Sequence, residues 1–252
     1  MTVIAVIPAR FASSRFPGKM LADRTGKPLI QHVWERAKQA KQVRRVIVAT
    51  DDQRIFEAVR RFGGEAMMTR ADHANGTSRI AEVAETIDAP ILVNVQGDEP
   101  DVDPALIDLA IQTLEKHRDC PVATLASPFA PGEDPANPNI VKVVIDRFGR
   151  AMYFSRSLIP FNRDASAPPI DAHPLKHVGL YVYRREFLPV YASLPPAPLE
   201  QAERLEQLRI LEHGHAIAVA VAQAHHHGID TPEQYEAFVR RMNPRAEANQ
   251  RR

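Results

Sequence analysis

Along the first half of this chain, short β-branched runs alternate with longer amphipathic stretches, and that order constrains the fold more than any other feature. VIAVIP marks a strand expected over residues 2–8, and a helical period follows over 28–41. The pattern repeats with a strand at 45–50, a helix at 52–62 closed by Gly63 and Gly64, a helix at 77–87, a buried strand ILVNVQ at 91–96 and a helix at 104–117. Such alternation predicts a mostly parallel sheet covered on both faces, whose ligands gather at the carboxyl ends of the strands. The loops after Ile7, Thr50 and Val95 are therefore the places to look for a site.

After residue 120 the texture changes. VATLAS, VKVVID and VGLYVY are alternating strands separated by proline-rich turns, which predicts a smaller, more antiparallel part over 121–198. A helix at 199–212, a strand at 217–221 and a helix at 231–242 are expected to return to the first sheet, and the polar stretch 243–252 to fray. The reading is one α/β domain over 1–242, with 1–120 as its ligand-binding half.

Composition excludes several function classes. Lys plus Arg number 32 against 31 Asp plus Glu, a net +1 that leaves no basic stripe for nucleic acid. The single cysteine, Cys120, excludes an intramolecular disulfide and a cysteine-based zinc cluster, and a reducing, cytoplasmic setting is expected. Apolar runs such as residues 3–7 fall far short of the ~20 residues of a membrane span, and the first residues lack the order of a signal peptide, so no membrane insertion is expected. With 11 glycines against 21 prolines, the chain cannot rely on glycine-rich loops to hold phosphates.

Side chains offer an alternative. The first loop, IPARFASSRFPGK, carries Arg10, Arg15 and Lys19 between a strand and a helix, where guanidinium forks and an ammonium could cradle a polyphosphate. A solvated charged loop would read the same way. TRADHANGTSR could present polar groups to a base and ribose, or simply be a helix N-cap turn. NVQGDEPDVD places Gln96 and Asp98 where the most apolar strand ends, which suits Mg²⁺ bridging phosphates or, equally, a solvated acidic turn. No GxGxxG follows the first strand, which argues against a nicotinamide dehydrogenase.

Taken together and in order, IPARFASSRFPGK, TRADHANGTSR, NVQGDEP, NPNIVKVVID, YFSR, KHVGLYVYR, LEQLRIL and GIDTPE resemble the 3-deoxy-manno-octulosonate cytidylyltransferases, or CMP-Kdo synthetases, over residues 3–239. The resemblance implies a Rossmann-like, GT-A-like nucleotidyltransferase fold of three layers, with a mixed subdomain over 121–198 for sugar binding and dimerisation. It also implies a homodimer, and the transfer of CMP from CTP to the C2 hydroxyl of Kdo with release of pyrophosphate, a step that feeds lipopolysaccharide synthesis. It assigns Arg10, Arg15 and Lys19 to the triphosphate, and Arg70, Asp72, Gly76 and Thr77 to the cytidine. Asp98 and Asp230 become the paired metal carboxylates for Mg²⁺, a second Mg²⁺ arriving with CTP, and Lys19, Asp98 and Asp230 the catalytic set. Arg156, His177, Tyr181, Glu206 and Gln207 fall on the sugar side, with Arg156 facing the Kdo carboxylate and Gln96 lying between the substrates.

The departures are local. Asn75 stands where the family commonly has serine, and the histidines 225–227 replace a proline–glycine turn without suiting a metal site, since successive residues cannot all face one ion. A cytidylyltransferase for 8-amino-Kdo or sialic acid shares most of these motifs, and a GT-A glycosyltransferase or a non-catalytic nucleotide-binding module shares fewer. The strands near 141–145 and 178–183 are the expected dimer surface.

Overall fold

The computed structural model describes residues 2–13, 15–163, 173–224 and 228–243. The histidines 225–227 and the tail beyond residue 243 lie outside the described residues. Strand β1 (Val3–Ala9) is buried along almost its whole length. Its register explains the unbroken apolar run. Val3, Ala5 and Ile7 enter one core, whereas Ile4 and Val6 enter a second on the opposite face. β2 (Val43–Thr50) and β4 (Ile91–Asn94) flank β1 in parallel, and β3 (Glu65–Met68) extends the sheet beyond β2.

The intervening helices are α1 (Leu29–Lys38), α2 (Gln53–Arg61), α3 (Gly76–Thr86) and α4 (Pro104–Lys116). Their starts are locally encoded: Asp52 accepts from the Arg54 amide, and Asp103 accepts from the Ala105 amide just ahead of a proline in the first turn. Residues from α1, α2 and α4 fill the first core, and residues from α3 fill the second.

The remaining strands are β5 (Val122–Pro128), β6 (Lys142–Ile145), β7 (Ala151–Ser155), β8 (Leu175–Arg184) and β9 (Ile217–Val221). Among the described residues they join one sheet of order β3-β2-β1-β4-β8-β5-β9, in which β8 is the antiparallel member. The segment 121–198 is continuous with the main sheet: β5 and β8 lie on its path, β8 runs antiparallel to its neighbours, and the β6–β7 hairpin leaves the path. The expected exposure of 178–183 is corrected by the same topology, because a strand held between β4 and β5 is covered; Val178 is 4% and Tyr183 1% exposed.

Four further helices lie among the described residues: α5 (Phe187–Ser193), α6 (Pro198–Glu203), α7 (Gln207–Glu212) and α8 (Pro232–Met242). The single helix expected over 199–212 is broken into α6 and α7. Arg204 adopts a left-handed conformation (φ 52°), which ends α6 and lets Leu205 enter the second core. The break also delivers Glu206 and Gln207 at the start of α7. No described helix is long and apolar enough to cross a membrane.

Candidate active site

The loop after β1 is shaped by one glycine. The Gly18 amide donates to the Phe11 carbonyl at 3.0 Å, Gly18 has φ +71°, and a β-carbon there would lie 3.1 Å from the Phe11 ring. Only glycine meets both conditions. This fold-back places Lys19 at the start of a 3-10 turn, 6% exposed. A second glycine brings in the loop after β4: a β-carbon on Gly97 would sit 2.9 Å from the Pro8 carbonyl oxygen, so a larger residue would hold the two loops apart. The third segment arrives before α8, where the Ile229 amide donates to the Asp98 carbonyl at 2.8 Å and Thr231 caps the helix.

These approaches unite residues more than 200 positions apart. Lys19 Nζ lies 2.9 Å from Asp98 Oδ2, 3.1 Å from Asp230 Oδ1 and 2.9 Å from the Ile229 carbonyl oxygen. Arg15, largely exposed, pairs with the other oxygen of Asp230 at 2.9 Å. Burial pushes the Asp98 carboxyl above its ordinary pKa, and the Lys19 ammonium opposes that shift. Two carboxylates converging on one cationic group form a hard-oxygen donor pair that fits Mg²⁺, which takes one or two protein carboxylates and keeps phosphates and water for the rest. Elsewhere among the described residues, His117, Asp119 and Cys120 bring ligand atoms within 4.8 Å of one another, but burial pushes the Cys120 thiol pKa up, away from the thiolate that a metal ligand must be.

Among the residues expected to meet the nucleotide, Arg10 donates to the His73 carbonyl, and His73 pairs with Glu82. Arg70 and Asp72 form an exposed pair at 3.3 Å. Asn75 caps α3 by accepting from the Ser78 amide, and its Nδ2 donates to the Tyr191 hydroxyl at 2.9 Å. The asparagine thus keeps the cap chemistry and adds a tether that a serine hydroxyl is too short to copy. Gly76 packs on Pro8, where a β-carbon would lie 3.2 Å from Pro8 Cγ. Thr77 turns inward to the Tyr183 hydroxyl at 2.9 Å and to Glu206, linking the expected cytidine segment to the sugar side.

Of the residues expected on the sugar side, His177 and Tyr181 lie on β8, Arg156 follows β7, and Glu206 and Gln207 open α7. Arg156 is anchored through Nε to the Glu203 carbonyl (2.8 Å) and through Nη1 to the Pro138 carbonyl (3.0 Å). His177 Nε2 lies 3.0 Å from Thr124 Oγ1, and burial pushes its pKa down to about 3, so the ring is neutral. Tyr181 stacks on Tyr183 with ring centroids 6.0 Å apart, and Gln207 is buried. Glu206 has a buried Oε2 with no hydrogen-bond partner, and desolvation raises its pKa to about 7 against the opposing bonds from Thr77. Gln96 follows the end of β4 and lies beside Gly179. An open cleft of about 1080 Å³ runs from Arg15 and Asp230 to Arg156 and His177.

Several contributors escape a linear reading. Lys142 is wholly buried and donates to the Asn137 carbonyl (3.0 Å), the Ile140 carbonyl (2.7 Å) and the Arg156 carbonyl, knitting NPNIVK to YFSR. Its signal was available: a lysine inside an apolar strand pattern. Arg79, also wholly buried, reaches Thr69 and Asp51. Thr124 gave no signal.

Residues 4–217 match the sequence profile of the cytidylyltransferase family. The 3-deoxy-manno-octulosonate cytidylyltransferase of Syntrophobacter fumaroxidans is 53% identical over 95% of this chain and 96% of its own length. That of Syntrophotalea carbinolica is 52% identical over 95% and 99%. A solved structure of CMP:2-keto-3-deoxy-manno-octonic acid synthetase complexed with CTP superposes with a TM-score of 0.91 at 46% identity, covering 97% of this chain and 99% of that one. A Bacillus anthracis structure described as a glucose-1-phosphate thymidylyltransferase, 14% identical with a TM-score of 0.65, shares the fold. With its paired carboxylates, its cation-bearing loop and this likeness over nearly its whole length, the chain belongs to the 3-deoxy-manno-octulosonate cytidylyltransferase family.

Proposed function

We propose that this protein activates Kdo by transferring CMP from CTP to the sugar's C2 hydroxyl, giving CMP-Kdo and pyrophosphate for lipopolysaccharide synthesis. The observation that carries the reading is the convergence of Lys19 and Asp98 on Asp230, which lines one cleft together with Arg156 and His177. In-line displacement at the α-phosphorus depends on positioning and charge neutralisation rather than covalent chemistry. Arg15 and Lys19, paired with carboxylates in the free protein, would exchange those partners for triphosphate oxygens, and Arg10 would join them; together they offset the charge that builds on the leaving pyrophosphate.

Asp98 and Asp230 are the residues that would hold Mg²⁺, with a second ion arriving on CTP; when bound, the metal supplies Lewis-acid neutralisation at the phosphates. Arg70, Asp72, Gly76 and Thr77 are proposed to line the cytidine, with Gln96 between the substrates. The anchored guanidinium of Arg156 would meet the Kdo carboxylate, and His177, Tyr181, Glu206 and Gln207 the sugar. The test is product formation: CTP, Kdo and Mg²⁺ should yield CMP-Kdo and one pyrophosphate per turnover, and absence of pyrophosphate would refute the assignment. A panel with 8-amino-Kdo and sialic acid at fixed CTP measures how strictly the sugar is chosen.

The working form is proposed to be a cytoplasmic homodimer. Phe148 (67%), Met152 (63%) and Phe161 (86%), on and just beyond the β6–β7 hairpin, are apolar and exposed, and a second copy would cover them. A monomer in light scattering would refute this.

A further inference from the structure

The cleft wall contains an irregularity in β8 that decides how His177 is presented. Thr124 pairs with Tyr181, whereas Leu125 pairs with Val178, so Gly179 and Leu180 form a bulge that interrupts the ladder. The bulge carries β8 toward the reaction end: a β-carbon on Gly179 would lie 3.8 Å from both Gln96 Cγ and Glu99 Oε1. Inside the bend sits Thr124, wholly buried, its Oγ1 2.8 Å from the Leu180 carbonyl oxygen, 3.1 Å from the Val178 carbonyl oxygen and 3.0 Å from His177 Nε2.

A threonine hydroxyl has one proton to donate and two lone pairs with which to accept. Both carbonyls can only accept, so the proton belongs to them. The hydroxyl must then accept from the imidazole, which requires a proton on Nε2. Because the ring is neutral, Nδ1 is left as a lone-pair acceptor. Phe154 meets the ring edge-on at 5.0 Å and Tyr181 packs on it at 5.3 Å, restricting its rotation.

We infer that Thr124 is a positioning residue that locks His177 in its Nε2–H tautomer, so that Nδ1 presents a hydrogen-bond acceptor to a donor group of the acid sugar, a hydroxyl or an amine. The inference rests on the reading of His177 as a sugar-side residue. It makes His177 a reader of hydroxyl or amine substituents and leaves recognition of the carboxylate to Arg156, since a neutral acceptor repels a carboxylate.

The test combines ¹⁵N-histidine NMR on the full-length enzyme with steady-state kinetics of Thr124→Val and Thr124→Ser. Wild type and Thr124→Ser should show the Nε2–H pattern of ring couplings, and Thr124→Val should lose it. Thr124→Val should raise KM for Kdo about tenfold, the effect of one hydrogen bond, with KM for CTP unchanged, and Thr124→Ser should restore most of it. An Nδ1–H pattern in wild type, parallel rises in both KM values, or no recovery with serine would overturn the inference. Should Thr124→Val not fold, addition of Kdo to wild type must still shift the Nδ1 resonance, and no shift overturns it equally. If His177→Ala leaves KM for Kdo unchanged while wild type shows Nε2–H, the sugar-side reading falls, and the tautomer stands without its role.

Discussion

The two ends of the cleft solve opposite electrostatic problems. At the Lys19 end, charges are met by opposite charges: Lys19 bridges Asp98 and Asp230, and Arg15 closes on Asp230. At the β8 end desolvation dominates: burial pushes the His177 pKa down to about 3 and that of Glu206 up to about 7, Tyr181 and Tyr183 stack behind them, and Arg156 brings a guanidinium to the same wall. The first end is built to exchange ionic partners when a charged ligand arrives. The second offers fixed donors and acceptors, which is how a polyhydroxylated molecule is told from water.

The largest expected effect comes from breaking the charged end. Asp98→Asn keeps the shape and removes one of the two carboxylates; kcat should fall by about three orders of magnitude, ~4 kcal/mol of transition-state stabilisation, in a pyrophosphate-release assay. Near wild-type turnover would dissolve the contrast, because the charges would then be structural. Next comes Lys19→Met, which leaves Asp98 without its ammonium. Denaturant unfolding should show a loss of about 3 kcal/mol at neutral pH, shrinking in acid as Asp98, whose pKa burial raises, protonates.

The desolvated end is tested through pH. A carboxyl whose folded pKa is raised from 4.5 to about 7 contributes its stability fully below the unfolded value and loses it as pH rises through the folded one. Glu206→Gln cannot ionise, so its stability relative to wild type should improve between about pH 5 and about pH 8 by roughly 2–3 kcal/mol, a shift of several degrees in melting temperature. A gap that does not change with pH would show that Glu206 is not held neutral. The smallest effect belongs to the seam between the ends: Asn75→Ser keeps the helix cap and loses the Tyr191 tether, for about 1 kcal/mol in thermal unfolding.

Legibility followed locality. The strand runs of β1 and β4 and the caps at Asp52 and Asp103 declared themselves because each signal lies within a few residues. β3, with the sequence EAMM, offers no β-branched residue and no alternation to register, and the α6–α7 break depends on a left-handed arginine, for which no propensity argues. Arg10, Arg15 and Lys19 stood out by density of charge on one loop, whereas Asp98 and Asp230 could be paired only through the family resemblance. Thr124 was invisible, because its role comes from a bulge on another strand.

By itself the sequence determined a two-faced, mostly parallel sheet and the chemistry of each motif, since hydrophobic periodicity and residue type act over one element at a time. Only the tertiary structure decided that β8 runs within that sheet rather than at an exposed edge, that Lys19 stands between carboxylates 79 and 211 residues further along the chain, and that His177 is neutral. Those outcomes depend on close backbone approaches at Gly18 and Gly97 and on desolvation by distant elements, quantities that exist only once the chain has closed on itself.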